Sequence, residues 1–143
     1  MSREAPAARS QFQVWKTFTT RWADNDAYGH VNNTVFYQWF DSAVNAWLVE
    51  QGLLDIQNGD PIALVVETGC AYFAPLAFPE QVEVGLGVAL VGRSSVRYRI
   101  GVFAEGEPLA AAQGEFVHVL VDRTSRRPVE FPANWRRALE AIS

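Results

Sequence analysis

One stretch limits what this chain can become. From Asn33 to Glu50 the apolar residues Phe36, Phe40, Ala43 and Trp47 recur at helical spacing, and Val35, Trp39, Val44 and Leu48 widen the stripe. Thr34, Gln38, Asp41 and Asn45 leave only a narrower polar stripe opposite. A helix this apolar is expected to be sheathed on most of its circumference by other structure. Asn32 or Asn33 supplies an N-cap and Gly52 a stop. The predicted helix spans about 27 Å, comparable with the width of a small domain.

The rest of the chain reads mostly as strand. Phe12 to Trp22 is rich in aromatic, β-branched and threonine residues. Ile62 to Phe73 is a nearly continuous apolar run interrupted by Glu67, Thr68 and Gly69, which predicts a central strand covered on both faces. After a turn at Pro75 to Pro79, Val82, Val84, Leu86, Val88 and Leu90 alternate with the opposite face. Gly92, Arg93 and Ser94 turn the chain, and Val96, Tyr98, Ile100 and Val102 then alternate with Arg97, Arg99 and Gly101. A third alternating run covers residues 109–121, and Pro132, Trp135, Leu139 and Ile142 allow a short terminal helix. Short turns between such runs imply an antiparallel meander. The expected class is α+β, a curled antiparallel sheet around one long helix.

Composition narrows the partners. The 143 residues suit a single domain over 11–143, preceded by a polar, proline-broken segment, 1–10, that reads as a flexible arm. A hydrophobic share of 49% excludes a disordered chain. Twelve basic against sixteen acidic residues give a net charge of -4, which argues against nucleic acid as the main partner. No apolar stretch is long enough to cross a bilayer. The single cysteine, Cys70, forms no internal disulfide and builds no cysteine-rich metal site. With no signal-peptide core near Met1, the expected location is cytoplasmic.

The chemistry concentrates between Arg21 and Tyr37. Asp24, Asn25, Asp26, Tyr28, Gly29 and His30 place two carboxylates and an imidazole in a glycine-containing loop directly before a helix N-terminus. Unsatisfied N–H groups at such a terminus favour negative charge, including an oxyanion developing on a substrate carbonyl. A nucleophile or base beside an oxyanion donor is what acyl transfer requires. Residue by residue, Asp24 reads first as a loop former, and Asn32 and Asn33 as caps before substrate-positioning amides. Glu67 is either a paired buried carboxylate or a site group. Cys70 reads as a small buried residue, His118 as structural, and Arg97 and Arg99 as a solvated or interface face.

The run Asp24-Asn25-Asp26-Ala27-Tyr28-Gly29-His30-Val31-Asn32-Asn33, with Tyr37, Phe40 and Asp41, resembles the 4-hydroxybenzoyl-CoA thioesterase family of hotdog-fold enzymes. Weaker blocks are Val65 to Leu76 and Gly92 to Val96. The resemblance implies a hotdog fold and an acyl-CoA thioesterase without metal or other cofactor. It places the catalytic carboxylate on Asp26, as nucleophile or general base, with His30, Asn32 and Asn33 beside it. The oxyanion or substrate-positioning role falls on the loop around Tyr28, Gly29 and Val31, up to Asn33. Arg93, Ser94 and Arg127 are implied contacts for coenzyme A, whose phosphates suit guanidinium forks. A site at a subunit boundary implies a homodimer or homotetramer. Asp41 is a secondary candidate, because a related branch uses a helix-borne carboxylate. Three alternatives stand beside this: an acyl-carrier-protein thioesterase, a non-catalytic acyl-thioester-binding protein, and a hotdog dehydratase, whose Asp and His occur at a different spacing.

Overall fold

The apolar periodicity puts the helix where it forms. In the computed structural model, which describes residues 4–143, helix α1 runs Asn33–Glu50 and buries the eight apolar residues of the stripe. Asn32 is its N-cap, with Oδ1 accepting the Thr34 N–H at 2.9 Å. At the other end Gly52 adopts φ +71°, a left-handed conformation that costs glycine little. A cap contributes about 1 kcal/mol and each buried apolar side chain about 1.5–3 kcal/mol. The helix is therefore held mainly by what covers it.

The cover is one antiparallel sheet of five strands: β1 (Val14–Thr19), β2 (Ile62–Tyr72), β3 (Gln81–Val91), β4 (Ser95–Ala104) and β5 (Ala112–Val121). Their order is β1-β3-β4-β5-β2, so the strands flanking α1 in sequence are the two edges. Val82, Val84 and Leu86 of β3, Tyr98, Ile100 and Val102 of β4, and Phe116 and Leu120 of β5 meet Phe40, Val44 and Leu48 of α1 in a single core. A second helix, α2 (Ala133–Ala141), closes one end with Trp135 and Leu139.

Gly114 on β5 leaves no room for a side chain between the neighbouring strand and the helix. A Cβ there would lie 1.9 Å from the Gly69 carbonyl oxygen and 2.8 Å from the Phe40 ring. The backbone oxygen cannot yield without breaking the β2–β5 ladder. Gly114→Ala is expected to lower stability by about 2–3 kcal/mol, read as a lower urea midpoint at unchanged slope.

Four expectations need correcting. The apolar run Ile62–Tyr72 is an edge strand, not a central one, and its middle is open, with Val66 59% exposed. A register shift between Val65 and Glu67 leaves Val66 as the extra residue of a bulge. A second shift, between Val88 and Leu90, breaks the alternation of β3. It turns Leu90 outward, 65% exposed, and packs Val91 against the core instead.

The amino-terminal segment is the third difference, since residues 4–10, read as a flexible arm, are docked; residues 1–3 of that arm lie outside the described residues. Ala7 is buried and donates its N–H to Gln113 Oε1 at 2.6 Å. Arg9 pairs with Glu83 at 2.8 Å and lies over the Phe103 ring, 4.8 Å from its centroid. Phe12 precedes β1 and fills a small cluster with Ala7, Phe103 and Ala110 on the outer face of the sheet. Lastly, residues 109–111 do not extend β5; Leu109 bridges to Ala8 instead.

One polar pair sits inside the core. Tyr98 on β4 and His118 on β5 are buried with ring centroids 5.8 Å apart. Among the described residues Tyr98 Oη and His118 Nδ1 have no hydrogen-bond partner. Burial pushes the His118 imidazole down to about 4.

Candidate active site

The loop joining β1 to α1 is clamped by its first carboxylate. Asp24 is buried and accepts the Arg21 backbone N–H at 2.8 Å and the Arg21 guanidinium at 2.7 and 3.0 Å. Its carbonyl accepts the Asn32 N–H at 2.8 Å, which ties the start of the loop to the helix cap. Asn25 Oδ1 accepts the Phe78 N–H at 3.0 Å, and the Val31 N–H donates to Leu76 at 2.7 Å. These bonds fasten the loop to the segment that follows β2.

The second carboxylate is presented rather than consumed. The Asp26 N–H donates to the His30 carbonyl at 2.8 Å, and the Asp26 carbonyl accepts from Gly29 at 3.1 Å. Gly29 has φ +82°, which closes this tight turn without strain. Asp26 Oδ1 accepts the Tyr28 N–H at 2.9 Å and the His30 N–H at 3.4 Å. Among the described residues Oδ2 has no partner. Asp26 lines a cleft of about 370 Å³ together with His30, Val31, Asn33, Phe36, Tyr72, Phe73 and Leu76.

One backbone donor of this segment is left unused. Among the described residues every backbone N–H from Tyr28 to Val35 has an acceptor except that of Asn33, the first residue of α1. It stands at the positive end of the helix dipole and lines the cleft that Asp26 lines. Opposite, Tyr72 Oη donates to the Asn33 carbonyl at 2.9 Å, and its ring meets Phe36 edge-on at 5.1 Å.

Asp26, His30, Val31 and Asn33 thus converge, whereas the other implied residues do not. Asn32 is occupied as the cap, Gly29 shapes the turn, and Tyr28 is 88% exposed beside the loop. Arg93, Ser94 and Arg127 are at the far end of the sheet. The Ser94 carbonyl accepts the Leu120 N–H at 2.8 Å, and the Arg127 carbonyl accepts that of Asp122 at 2.9 Å. The cleft adjoins Tyr72, which pairs with Ala112, eight residues earlier on β5 and so about 26 Å away. Within one chain Arg93, Ser94 and Arg127 do not meet Asp26.

Other candidates also find their places. Glu67 is neither buried nor at the cleft; it is exposed and bonded to Arg97 at 2.8 Å, which also holds Glu115 at 2.5 Å. Burial pushes the half-buried Cys70 thiol up to about 11, which disfavours the thiolate. Asp41 is exposed and accepts from Asn45 at 3.0 Å. The Tyr72 contact was not visible in the sequence, since it joins residues 39 positions apart.

A long helix wrapped by a curled antiparallel sheet, with a carboxylate loop at its N-terminus, is the hotdog arrangement of acyl-thioester enzymes. The family model for the thioesterase-like superfamily matches residues 20–139. A protein of Pseudomonas aeruginosa strain PAO1 is 51% identical, each chain covering 97% of the other, with a TM-score of 0.94. A thioesterase of Thermus thermophilus, solved with coenzyme A and zinc, is 30% identical over 92% of this chain and 95% of that one, with a TM-score of 0.78. At 21% identity, a 1,4-dihydroxy-2-naphthoyl-CoA thioesterase of Synechocystis shares the fold over 90% and 96% of the two chains, with a TM-score of 0.80. No curated protein sequence matches significantly. The chain belongs to the thioesterase-like superfamily, and it is a thioester hydrolase.

Proposed function

We propose that the protein hydrolyses an acyl-CoA thioester to a carboxylic acid and free coenzyme A, with Asp26 as the reacting carboxylate. One observation carries this: Asp26, whose Oδ2 has no partner among the described residues, and Asn33, whose N–H has none, line the same cleft. A thioester carbonyl between them has its oxygen on the Asn33 N–H and its carbon facing Asp26. As nucleophile, Asp26 adds to that carbon, the C–S bond breaks, coenzyme A leaves as thiolate, and water then cleaves the acyl-aspartyl anhydride. As general base, Asp26 takes a proton from water while the water oxygen adds to the carbon instead; the C–S bond then breaks and that proton passes to the departing thiolate. In both routes charge develops on the oxygen at the helix terminus, where a preformed dipole stabilises it most. His30 holds the carboxylate through its backbone N–H, while Gly29, Tyr28 and Val31 shape and anchor the turn.

Coenzyme A is the thiol carrier that the Thermus thermophilus relative supports. Its phosphates are assigned to Arg93, Ser94 and Arg127 of a second copy. The free edge of β2, with Val65 and Val66 exposed on it, is the surface for that copy. In a two-fold antiparallel pairing the Ile62 end of one β2 lies beside the Tyr72 end of the other. The cation-bearing end of one sheet is thereby carried toward the Asp26 cleft of its neighbour. Val66→Arg is expected to sediment as a monomer and to lose most hydrolysis; a fully active monomer overturns the shared site. No helix among the described residues is long and apolar enough to cross a membrane, and with its one free cysteine the protein is assigned to the cytoplasm.

The deciding experiment is thiol release from short, medium, long and aromatic acyl-CoAs. Saturable hydrolysis of at least one member is expected. Release at background from every member overturns the proposal.

A further inference from the structure

We infer that Tyr72 is a positioning residue for thioester hydrolysis, its hydroxyl fixing the first peptide of α1 so that the Asn33 N–H stays directed into the cleft. This rests on the proposal that Asn33 donates to the oxyanion.

The peptide group joining Asn33 to Thr34 is held at both ends. Its N–H, that of Thr34, donates to Asn32 Oδ1 at 2.9 Å; its C=O, that of Asn33, accepts from Tyr72 Oη at 2.9 Å. The first turn of a helix has no preceding carbonyls to restrain it and frays most readily. Clamping this peptide plane fixes the ψ angle of Asn33, and the cap fixes the residue before it. The one donor left unused in the turn is the Asn33 N–H itself.

Packing does not require the hydroxyl. The ring of Tyr72 meets Phe36 edge-on, a contact that phenylalanine would keep. The oxygen must instead remain a donor for the clamp to work. Burial, with Cys70 and Tyr37 close by, holds its ionisation well above the usual tyrosine range, so the proton stays in place at any working pH. Tyr72 also lies on β2, so it connects the sheet edge to the helix start.

Tyr72→Phe tests this with the best acyl-CoA from the thiol-release panel. The expected result is a fall in kcat of about ten- to a hundredfold, below the roughly 10²–10³-fold cost of deleting an oxyanion donor outright. KM should stay within about twofold, because ground-state binding is untouched. The melting temperature should drop by no more than about 4 °C, as for one lost hydrogen bond. Asn32→Ala removes the other end of the clamp, so the double variant should lose less than the product of the two single losses. Unchanged kcat in Tyr72→Phe, a rise in KM alone, or losses that simply multiply would each overturn the inference. Hydrolysis that survives Asp26→Asn would instead overturn the catalytic proposal on which it rests, so the two failures are distinguishable.

Discussion

Asp26→Asn is expected to fold normally and to lose thioester hydrolysis by about a thousandfold or more. Asparagine has nearly the same shape, and its amide oxygen can still accept the Tyr28 and His30 N–H groups that hold the turn. The clamp made by Asp24 with Arg21 and Asn32 is independent of this side chain. What disappears is the charge and the lone pair at Oδ2, and neither catalytic route survives that loss. The measurement pairs kcat for the best acyl-CoA with the melting temperature of the same sample. Retention of activity within tenfold of the parent would remove Asp26 from the reaction.

The second large effect concerns acid. Stability is expected to fall by about 3 kcal/mol as the pH drops from about 6.5 to about 4, through His118. Above the ordinary imidazole value His118 is neutral both folded and unfolded, so its titration changes nothing. Between that value and about 4 the unfolded chain takes up a proton that the folded core refuses, and the balance tips by about 1.4 kcal/mol per pH unit. Below about 4 both states are protonated and the slope from this residue ends. The refusal comes from burial among Tyr98 and Phe116, with Nδ1 unpartnered. Urea midpoints at pH 7, 5.5 and 4.5 should decline less in His118→Leu, which also removes an unpaired buried nitrogen. Parallel declines in the two proteins would place the acid sensitivity elsewhere.

The helix was the most legible element. Its limits and all eight buried residues follow from periodicity, because a 3.6-residue repeat over eighteen residues leaves little choice of face, while residue type narrowed the cap only to Asn32 or Asn33. The failures were local or non-local in identifiable ways. A single bulge residue reversed the side on which Leu90 sits, and alternation alone does not reveal a bulge. The run through Val65 and Val66 announced two-sided burial, yet the chain by itself covers only part of it. In the loop, the residue types of Asp26 and the following turn pointed to acyl chemistry, but the selection of Asn33 needed every neighbouring N–H to be accounted for. Tyr72 meets Asn33 only through the fold. The distance between Arg93 and Asp26 was equally hidden, because it follows from the strand order and register.

The strand order also dictates how the chain matures during synthesis. Both edge strands are made early, and each must wait for a later partner: β1 for β3, and β2 for β5. Until residue 121 has left the ribosome, β2 has no ladder to join, and the apolar stripe of α1 lacks its full cover. The meander β3-β4-β5 can zip from its own local turns, since its contacts are near in sequence. The half of the molecule that holds the carboxylate loop therefore cannot fold ahead of the half that holds the meander. A nascent chain stalled before β5 carries its carboxylate loop ahead of an unburied helix, a natural target for chaperones and proteases.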